Sequence, residues 1–130
     1  MSVSRVLQSD KGFECATLLL ARNGISAEGA RLLSSMLAIN ETLTSLSLYK
    51  NKIGDDGILW LSQALLGNRT LSTLNVRDNG IGEGGACGLS DVMCRLGHDC
   101  SLRLLNISEN AIGPKGRSTC LYVCMYVFVC

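Results

Sequence analysis

The sequence lacks an excess of charge of either sign. Twelve Lys and Arg residues are balanced by 11 Asp and Glu residues, which gives a formal net charge of +1, and the two signs are interspersed along the chain. Proteins that bind nucleic acid or an anionic membrane surface need a concentrated field of basic residues. The sequence therefore predicts that the protein has no nucleic-acid partner.

Residues that carry catalysis are also scarce. His98 is the only histidine, and Asp55, Asp56, Asp78 and Glu83 fall in separate predicted turns or at strand ends. A catalytic site needs a nucleophile and a base within hydrogen-bond reach of each other, and no such pair is visible. The sequence predicts a protein that is not an enzyme.

Long hydrophobic runs are missing as well. The apolar run near the C-terminus spans about 12 residues, whereas a membrane-spanning helix needs about 20. The first residues, from Met1 to Glu14, contain no apolar stretch of the kind found in a signal peptide. We therefore expect no membrane span and an intracellular, cytoplasmic location.

The cysteines favour the same compartment because their number is odd. They are expected to be reduced and to act as small buried hydrophobic residues. A zinc site built from Cys94, His98 and Cys100, or from Cys120 and Cys124, would lack the paired spacings of a tetrahedral site. The sequence predicts no metal and no cofactor. The seven cysteines are Cys15, Cys87, Cys94, Cys100, Cys120, Cys124 and Cys130.

One pattern, in which apolar residues and an asparagine are spaced as L-x-x-L-x-L-x-x-N-x-I, occurs four times. The copies begin at Cys15, Leu43, Leu71 and Leu102, at steps of 28, 28 and 31 residues. The motif I-G-x-x-G follows in the last three copies, with a close variant in the first. Repetition in phase over such a period is the signature of a solenoid.

Each copy predicts a strand, a turn and a helix. The L-x-L segment alternates with a period of two, as in a strand with one buried face, whereas the spacing of Leu61 and Leu65 is helical. The asparagine side chain both donates and accepts hydrogen bonds, so a column of these residues can satisfy the backbone groups of stacked turns. Stacked units of this kind place their strands in parallel on the concave side.

The segment LTSLSLYKNKIGDDG, from Leu43 to Gly57, with its continuation to Leu71, resembles the ribonuclease-inhibitor-like subfamily of leucine-rich repeats. The resemblance extends from about Cys15 to Gly116. It implies an α/β horseshoe, a solenoid of about four repeats with parallel concave strands and convex helices. The subfamily includes repeat regions of NOD-like innate immune receptors, Ran GTPase-activating proteins, axonemal dynein-regulatory subunits and ribonuclease inhibitor.

The resemblance implies an intracellular protein-interaction module, a scaffold with no chemistry of its own. Two alternatives stay open, a small-GTPase regulator similar to Ran GTPase-activating protein and a structural subunit of an axoneme or another large assembly. A detached end of an innate immune receptor is a further possibility, although the chain lacks a recognisable nucleotide-binding domain.

The chain divides into three predicted parts. Residues 1–14 are a partial N-terminal flank, residues 15–116 are the repeats, and residues 117–130 are an apolar, Cys-rich segment that is either a truncated last helix or a divergent tail. The extra residues of the third unit, at 95–101, are expected to form a loop on one rim. Because the tail lacks a polar cap, we expect a fragment or short isoform of a longer protein, with possible self-association through that end.

Several motifs that resemble known functional sites are explained by the repeat itself. The segment from Gly80 to Gly85 matches G-x-G-x-x-G, but Gly82 and Gly85 only repeat the pair Gly54 and Gly57, so no nucleotide site is predicted. Glycosylation-like triplets begin at Asn40, Asn68 and Asn106 and are interpreted as framework residues. His98, in the predicted rim loop, is a weak candidate for a ligand or switch. Trp60 is expected to pack between adjacent helices rather than to bind a partner.

The predicted binding surface consists of the residues that alternate with the buried leucines. Tyr49 and Arg77 are the strongest candidates because Tyr and Arg dominate the hot spots of protein interfaces. The flanking polar positions are Thr44, Ser45, Ser47, Thr73 and Asn106. The full set of predicted protein-binding residues on the concave face is Tyr49, Lys50, Asn75, Arg77, Asp78, Arg103, Ser108 and Glu109.

Overall fold

The computed structural model describes residues 15–123 and 128–129, and strands alternate with helices throughout them. The predicted flank at residues 1–14 lies outside these residues. A 3₁₀ helix at Gly97–Asp99 follows the third helix. The strands are β1 (Thr17–Leu19), β2 (Ser45–Ser47), β3 (Thr73–Asn75), β4 (Leu104–Asn106) and β5 (Phe128–Val129). The helices are α1 (Ala27–Leu37), α2 (Gly54–Gly67), α3 (Glu83–Leu96) and α4 (Gly113–Val123).

All five described strands form one parallel sheet in the order β1-β2-β3-β4-β5. The central leucine of each repeat is in register with the next, so Leu18 pairs with Leu46, Leu46 with Leu74, and Leu74 with Leu105. Each helix packs against the helix of the neighbouring unit. This arrangement confirms the predicted α/β leucine-rich-repeat solenoid with parallel strands on one side and helices on the other.

The core lies between the sheet and the helices. The apolar positions of the last three strand motifs are all buried, as the pattern predicts. In the first unit Cys15, Leu18 and Leu20 are only partly buried, because β1 lies at the edge of the described sheet. The buried strand-motif residues are Leu43, Leu46, Leu48, Leu71, Leu74, Val76, Leu102, Leu105 and Ile107.

The predicted asparagine column satisfies the turns that follow the strands. The Asn51 Oδ1 accepts hydrogen bonds from the backbone N–H groups of Asn23 and Ile25, at 3.0 and 2.9 Å. Its Nδ2 donates to the carbonyls of Leu20 and Leu48, each at 2.9 Å. Asn79 and Asn110 make equivalent contacts in the later units. The column therefore joins each unit to the one before it.

A second pair of asparagines stabilises the loops before the strands. Asn40 and Asn68 are buried, and the Oδ1 of each accepts the N–H of the leucine three residues later at 2.7 Å. The Asn68 Nδ2 also donates to the carbonyls of Leu37 and Asn40. These two triplets are framework residues, as predicted, and the half-buried Asn106 also holds its own turn by accepting hydrogen bonds from Ser108.

The third unit accommodates its extra residues without the loop predicted for 95–101. Arg95 and Leu96 complete α3, and the 3₁₀ helix turns the chain so that Cys100 is buried. The Cys100 Sγ lies 3.9 Å from the Met93 Sδ. In the C-terminal segment, α4 extends to Val123 and β5 pairs in parallel with β4. Predictions for the rest of that segment lie outside the described residues.

Candidate functional site

The side of the sheet that faces away from the helices carries ordered rows of side chains, which we call the concave face. The strand register places Ser45, Thr73 and Leu104 in one row, and Ser47, Asn75 and Asn106 in a second row. The ladder continues past the strands, since the N–H of Lys50 donates to the carbonyl of Arg77 at 3.0 Å and that of Asp78 to Ser108 at 3.1 Å. Equivalent residues of successive units are therefore neighbours.

The residues that follow the strands turn sharply. Arg22, Lys50, Asp78 and Glu109 have φ values of 59°, 57°, 53° and 56°, in the left-handed region that few L-residues adopt. We call these four residues the concave edge. The order of their charges along the solenoid is positive, positive, negative, negative. The shared turn exposes or half-exposes each side chain beside the strand ends.

Tyr49 is the centre of the cluster that the structure assembles. Its ring lies between two guanidinium groups, with the Arg22 Cζ 5.8 Å and the Arg77 Cζ 5.4 Å from the ring centroid. Cations within about 6 Å of an aromatic centroid are attracted by the ring quadrupole. Arg77 also donates through Nη2 to the Glu109 Oε1 at 2.6 Å. The contacts therefore join four units in the order Arg22, Tyr49, Arg77, Glu109.

The two members of the ion pair have shifted pKa values. The hydrogen bond from Arg77, then its charge and that of Lys50, lower the pKa of the Glu109 carboxyl against the opposing effect of desolvation. The same hydrogen bond and charge raise the pKa of Arg77. Both side chains are partly exposed, so the pair contributes little to stability but holds the Arg77 guanidinium beside Tyr49.

The other predicted site residues have different surroundings. The Asn75 Oδ1 accepts the N–H of Arg77 at 3.0 Å, and the Asn106 Oδ1 accepts both the N–H and the Oγ–H of Ser108. These contacts position the turn. Arg103 lies before β4, at the opposite end of the strand from Glu109, and its Nη1 donates to the carbonyls of Cys100 and Leu102. Arg103 is therefore not part of the Tyr49 cluster.

The flanking positions also divide. Thr44 lies before β2, in register with Ser72, and its hydroxyl donates to the Ala16 carbonyl at 3.0 Å. It belongs to the entry side of the sheet, whereas Ser45, Ser47 and Thr73 lie on the strands themselves.

Sequence reasoning missed three residues of this surface. Arg22 occupies the position of Lys50 in the first unit, and Leu19 occupies that of Ser47, with 72% of its surface exposed. Leu104 is in register with Thr73 and is 37% exposed. The repeat register alone predicts the position of all three. The residue types of Leu19 and Leu104 give no sign of a surface position, because an apolar residue next to a buried leucine resembles a core residue.

The glycine-rich segment before α3 has a structural role. The N–H of Gly82 donates to the Asp55 Oδ1 at 2.6 Å, so a carboxylate of the preceding unit already occupies the helix N-terminus. A Cβ at Gly85 would lie 2.6 Å from the Asp55 Oδ1 and 2.8 Å from the Ile58 Cγ2. These glycines allow adjacent units to approach closely.

Neither His98 nor Trp60 forms an enclosed site. His98 is exposed in the 3₁₀ helix, and within residues 15–118 no group of three or more His, Cys, Asp or Glu side chains could hold a metal ion. Cys124 lies outside the described residues. Trp60 is 47% exposed and lines a groove on the helix side with Ala27 and Leu59, so its predicted packing between helices is only partial. No helix in the described part of the chain is long and apolar enough to cross a membrane.

Comparisons with known proteins support the fold. The family model described as Leucine Rich repeat matches residues 40–61, 67–90 and 98–119, which together are more than half of the chain. A solved structure described as "Leiomodin-1 Actin-Binding Site 2 (ABS2)" is similar, with a TM-score of 0.78 and 15% identity, over 97% of this chain and 73% of that chain. No match was found among curated proteins.

Proposed function

Because the chain belongs to the leucine-rich repeat family, we propose that it is a protein-interaction module that binds a partner through its concave face. One observation carries the proposal, namely the partly exposed chain of contacts from Arg22 through Tyr49 and Arg77 to Glu109. Aromatic and arginine side chains held in one geometry lose little entropy on binding, which is why they act as anchors. The module supplies a surface and no chemistry of its own.

The predicted site residues contribute to this surface to different extents. Tyr49 and Arg77 are the proposed anchors, and Lys50, Asp78 and Glu109 supply charge beside them. Asn75 and Ser108 hold the backbone of the turns through the contacts described above. Arg103 would be reached only by a partner that covers the whole length of the strands.

We place the module inside the cell. The support is that Cys15, Cys87, Cys94 and Cys100 are free thiols in the described part of the chain, and that Cys94 is exposed. Exposed free thiols persist in reducing compartments.

Site-specific cross-linking tests the proposal. A photoreactive phenylalanine analogue replaces Ser47 on the concave face or, as the matched control, Ser35 on the exposed side of α1. After irradiation in cells, we expect Ser47 to capture a discrete protein that Ser35 does not capture. The double variant Tyr49→Ala, Arg77→Ala should abolish that product while circular dichroism stays unchanged. The proposal is wrong if Ser47 captures nothing, or captures the same proteins as Ser35.

Three narrower functions can be tested with defined partners. The resemblance to Ran GTPase-activating proteins suggests a small-GTPase regulator, and an unchanged rate of hydrolysis on adding the chain to a GTP-loaded GTPase would reject it. The solved structure named for an actin-binding site suggests actin as a partner, which cosedimentation of the chain with actin filaments would test. An axonemal subunit would be found in a ciliary fraction rather than in a soluble pool.

A further inference from the structure

Arg22 and Lys50 are the two cations of the concave edge, one in each of the first two units. Arg22 and Lys50 are both exposed, and neither belongs to an ion pair formed within residues 15–118. Arg77, in contrast, is paired with Glu109. The positive charge of the concave edge is therefore concentrated over units one and two.

The fold separates charges that the sequence intersperses. Arg22, Lys50 and Arg77 lie beside the strand ends on the concave side. In units one and two the helix acids Glu28, Asp55 and Asp56 lie on the other side, and the acids of the concave edge, Asp78 and Glu109, belong to units three and four. The chain carries a formal net charge of only +1, and yet this part of its concave side is basic. Local potentials of this kind select partners and raise association rates even when net charge is small.

Tyr49 restricts the orientation of the Arg22 side chain. A guanidinium held on an aromatic ring keeps its planar set of N–H donors available at the edge of the ring. That set matches the two oxygens of a carboxylate. Arg22 is thus prepared to bind a carboxylate, with the Lys50 ammonium as a second charge in the adjacent unit.

The surroundings restrict what can bind there. Leu19, 72% exposed on β1, adds apolar surface beside the cations. On the other side, Asp78 and Glu109 repel anions that extend over units three and four. A long polyanion such as nucleic acid would meet these carboxylates, and the Tyr49 ring already has a guanidinium near it from each neighbouring unit. A short segment with few acids and one apolar residue avoids both conflicts.

We propose that the concave side of the first two units binds a short acidic segment of a partner protein, with its carboxylates on Arg22 and Lys50 and an apolar residue on Leu19. This inference rests on the proposed function, because it names the chemistry of the partner for the same face. It also specifies the orientation of the partner, because the acidic residues of the partner must lie over units one and two.

The experiment measures fluorescence anisotropy of a labelled peptide, Glu-Glu-Leu-Glu-Glu, with the full chain. Peptides with Lys in place of Glu and a ten-nucleotide oligothymidine serve as comparison probes. We expect the acidic peptide to bind most tightly, and more weakly as salt rises. Arg22→Gln and Lys50→Gln should each weaken binding about threefold to tenfold, and Arg22→Lys, which keeps the charge but loses the planar donor set, should weaken it less than Arg22→Gln. Arg95→Gln, the same loss of charge on α3, should change it by less than about twofold.

Three results would overturn the proposal. The first is that the acidic peptide does not bind at millimolar concentration. The second is that Arg95→Gln and Arg22→Gln weaken peptide binding equally. The third is that the oligonucleotide or the Lys peptide binds more tightly than the acidic peptide. Circular dichroism of each variant shows whether the fold is retained, and Arg22→Lys separates charge from folding. If cross-linking from Ser47 succeeds but the acidic peptide does not bind, the proposed interaction module is supported and only the proposed acidic partner is wrong. If cross-linking fails, the interaction surface itself is wrong.

Discussion

The Asp55 carboxylate of one unit accepts the N–H of Gly82 at the start of the helix of the next unit, at 2.6 Å. The first turn of a helix leaves N–H groups without intrahelical partners, and these groups carry partial positive charge. Neither Gly82 nor Ile53 provides a side-chain cap for its own helix. The cap of α3 is therefore supplied by its neighbour, which couples the stability of the two units.

Asp55→Ala should lower the free energy of unfolding by about 1 to 2 kcal/mol, the ordinary cost of losing a helix cap. Asp56→Ala is the matched control, because Asp56 is the next residue, is exposed, and lies in the same first turn. It should cost no more than about 0.5 kcal/mol. Urea denaturation of both variants measures the difference, and an equal loss would show that Asp55 acts only on its own helix.

Gly85→Ala should destabilise the protein by about 1 to 3 kcal/mol, the typical cost of overpacking. The added Cβ would lie within 3.0 Å of the backbone Cα of Asp55 as well as against the Ile58 side chain. Gly67→Ala provides the comparison, since its Cβ would meet only the Ala38 carbonyl at an ordinary 3.5 Å. Thermal unfolding should show Gly67→Ala neutral or slightly stabilised. Equal midpoints for the two variants would contradict the close approach of units at Gly85.

Asn51→Ala should cost about 2 to 4 kcal/mol, because it leaves several backbone groups without their hydrogen-bond partner. Asn51 is buried and serves both donors and acceptors in two units. Asn23 holds the same repeat position, but its exposed side chain donates, among the described residues, only to the Ala21 carbonyl. Asn23→Ala should therefore change the free energy of unfolding by no more than about 0.5 kcal/mol. A similar loss in both variants would show that the column adds nothing beyond local turn formation.

The repeat pattern predicted the scaffold because a stacked unit must bury the same positions each time. Leu46, Leu74 and Leu105 follow from the two-residue period, and Asn51 from the need to satisfy turns. The strand at Phe128–Val129 and the 3₁₀ helix at Gly97–Asp99 did not follow from it. In both segments the motif is incomplete, so local propensity and tertiary packing compete without a repeated signal to decide between them.

The candidate site was less predictable than the fold. The register placed Tyr49 beside Arg77. The contact of the Tyr49 ring with Arg22 and the ion pair of Arg77 with Glu109 depend, however, on the conformations of flexible side chains, which the register does not determine. The charge separation was hidden because residues close in sequence, such as Lys50 and Asp55, lie on opposite sides of the fold. Interspersed charge in a repeat sequence thus does not imply interspersed charge on its surface.

The thiols of Cys100 and Cys94 should react at very different rates. Burial raises the pKa of the Cys100 thiol, and the thiolate is the reactive form. Cys94 is exposed on α3. Brief treatment with iodoacetamide at neutral pH, followed by mass spectrometry, should label Cys94 at least about tenfold faster in the folded chain. In urea the two rates should converge. Equal labelling of the folded chain would contradict the burial of Cys100 against Met93.

The pH dependence of the concave edge follows from the ion pair between Arg77 and Glu109. The folded state depresses the pKa of the Glu109 carboxyl below its ordinary value, chiefly through the hydrogen bond from Arg77. The contribution of the pair is therefore fully present above the ordinary pKa of glutamate, about 4.3. It is lost as the pH falls through the depressed value, because protonation removes the charge that Arg77 binds.

Carboxyl NMR titration of the folded chain checks this directly. In Arg77→Gln the pKa of Glu109 should rise toward the ordinary value, since both the hydrogen bond and the nearby charge are removed. Glu28 is the internal control, because its pKa is lowered by a different partner, Arg31, in α1. It should not move in Arg77→Gln. If Glu109 kept its pKa in the variant, or if Glu28 shifted equally, the contact between units three and four would not hold Arg77 against Tyr49, and the anchor cluster would lose its C-terminal support.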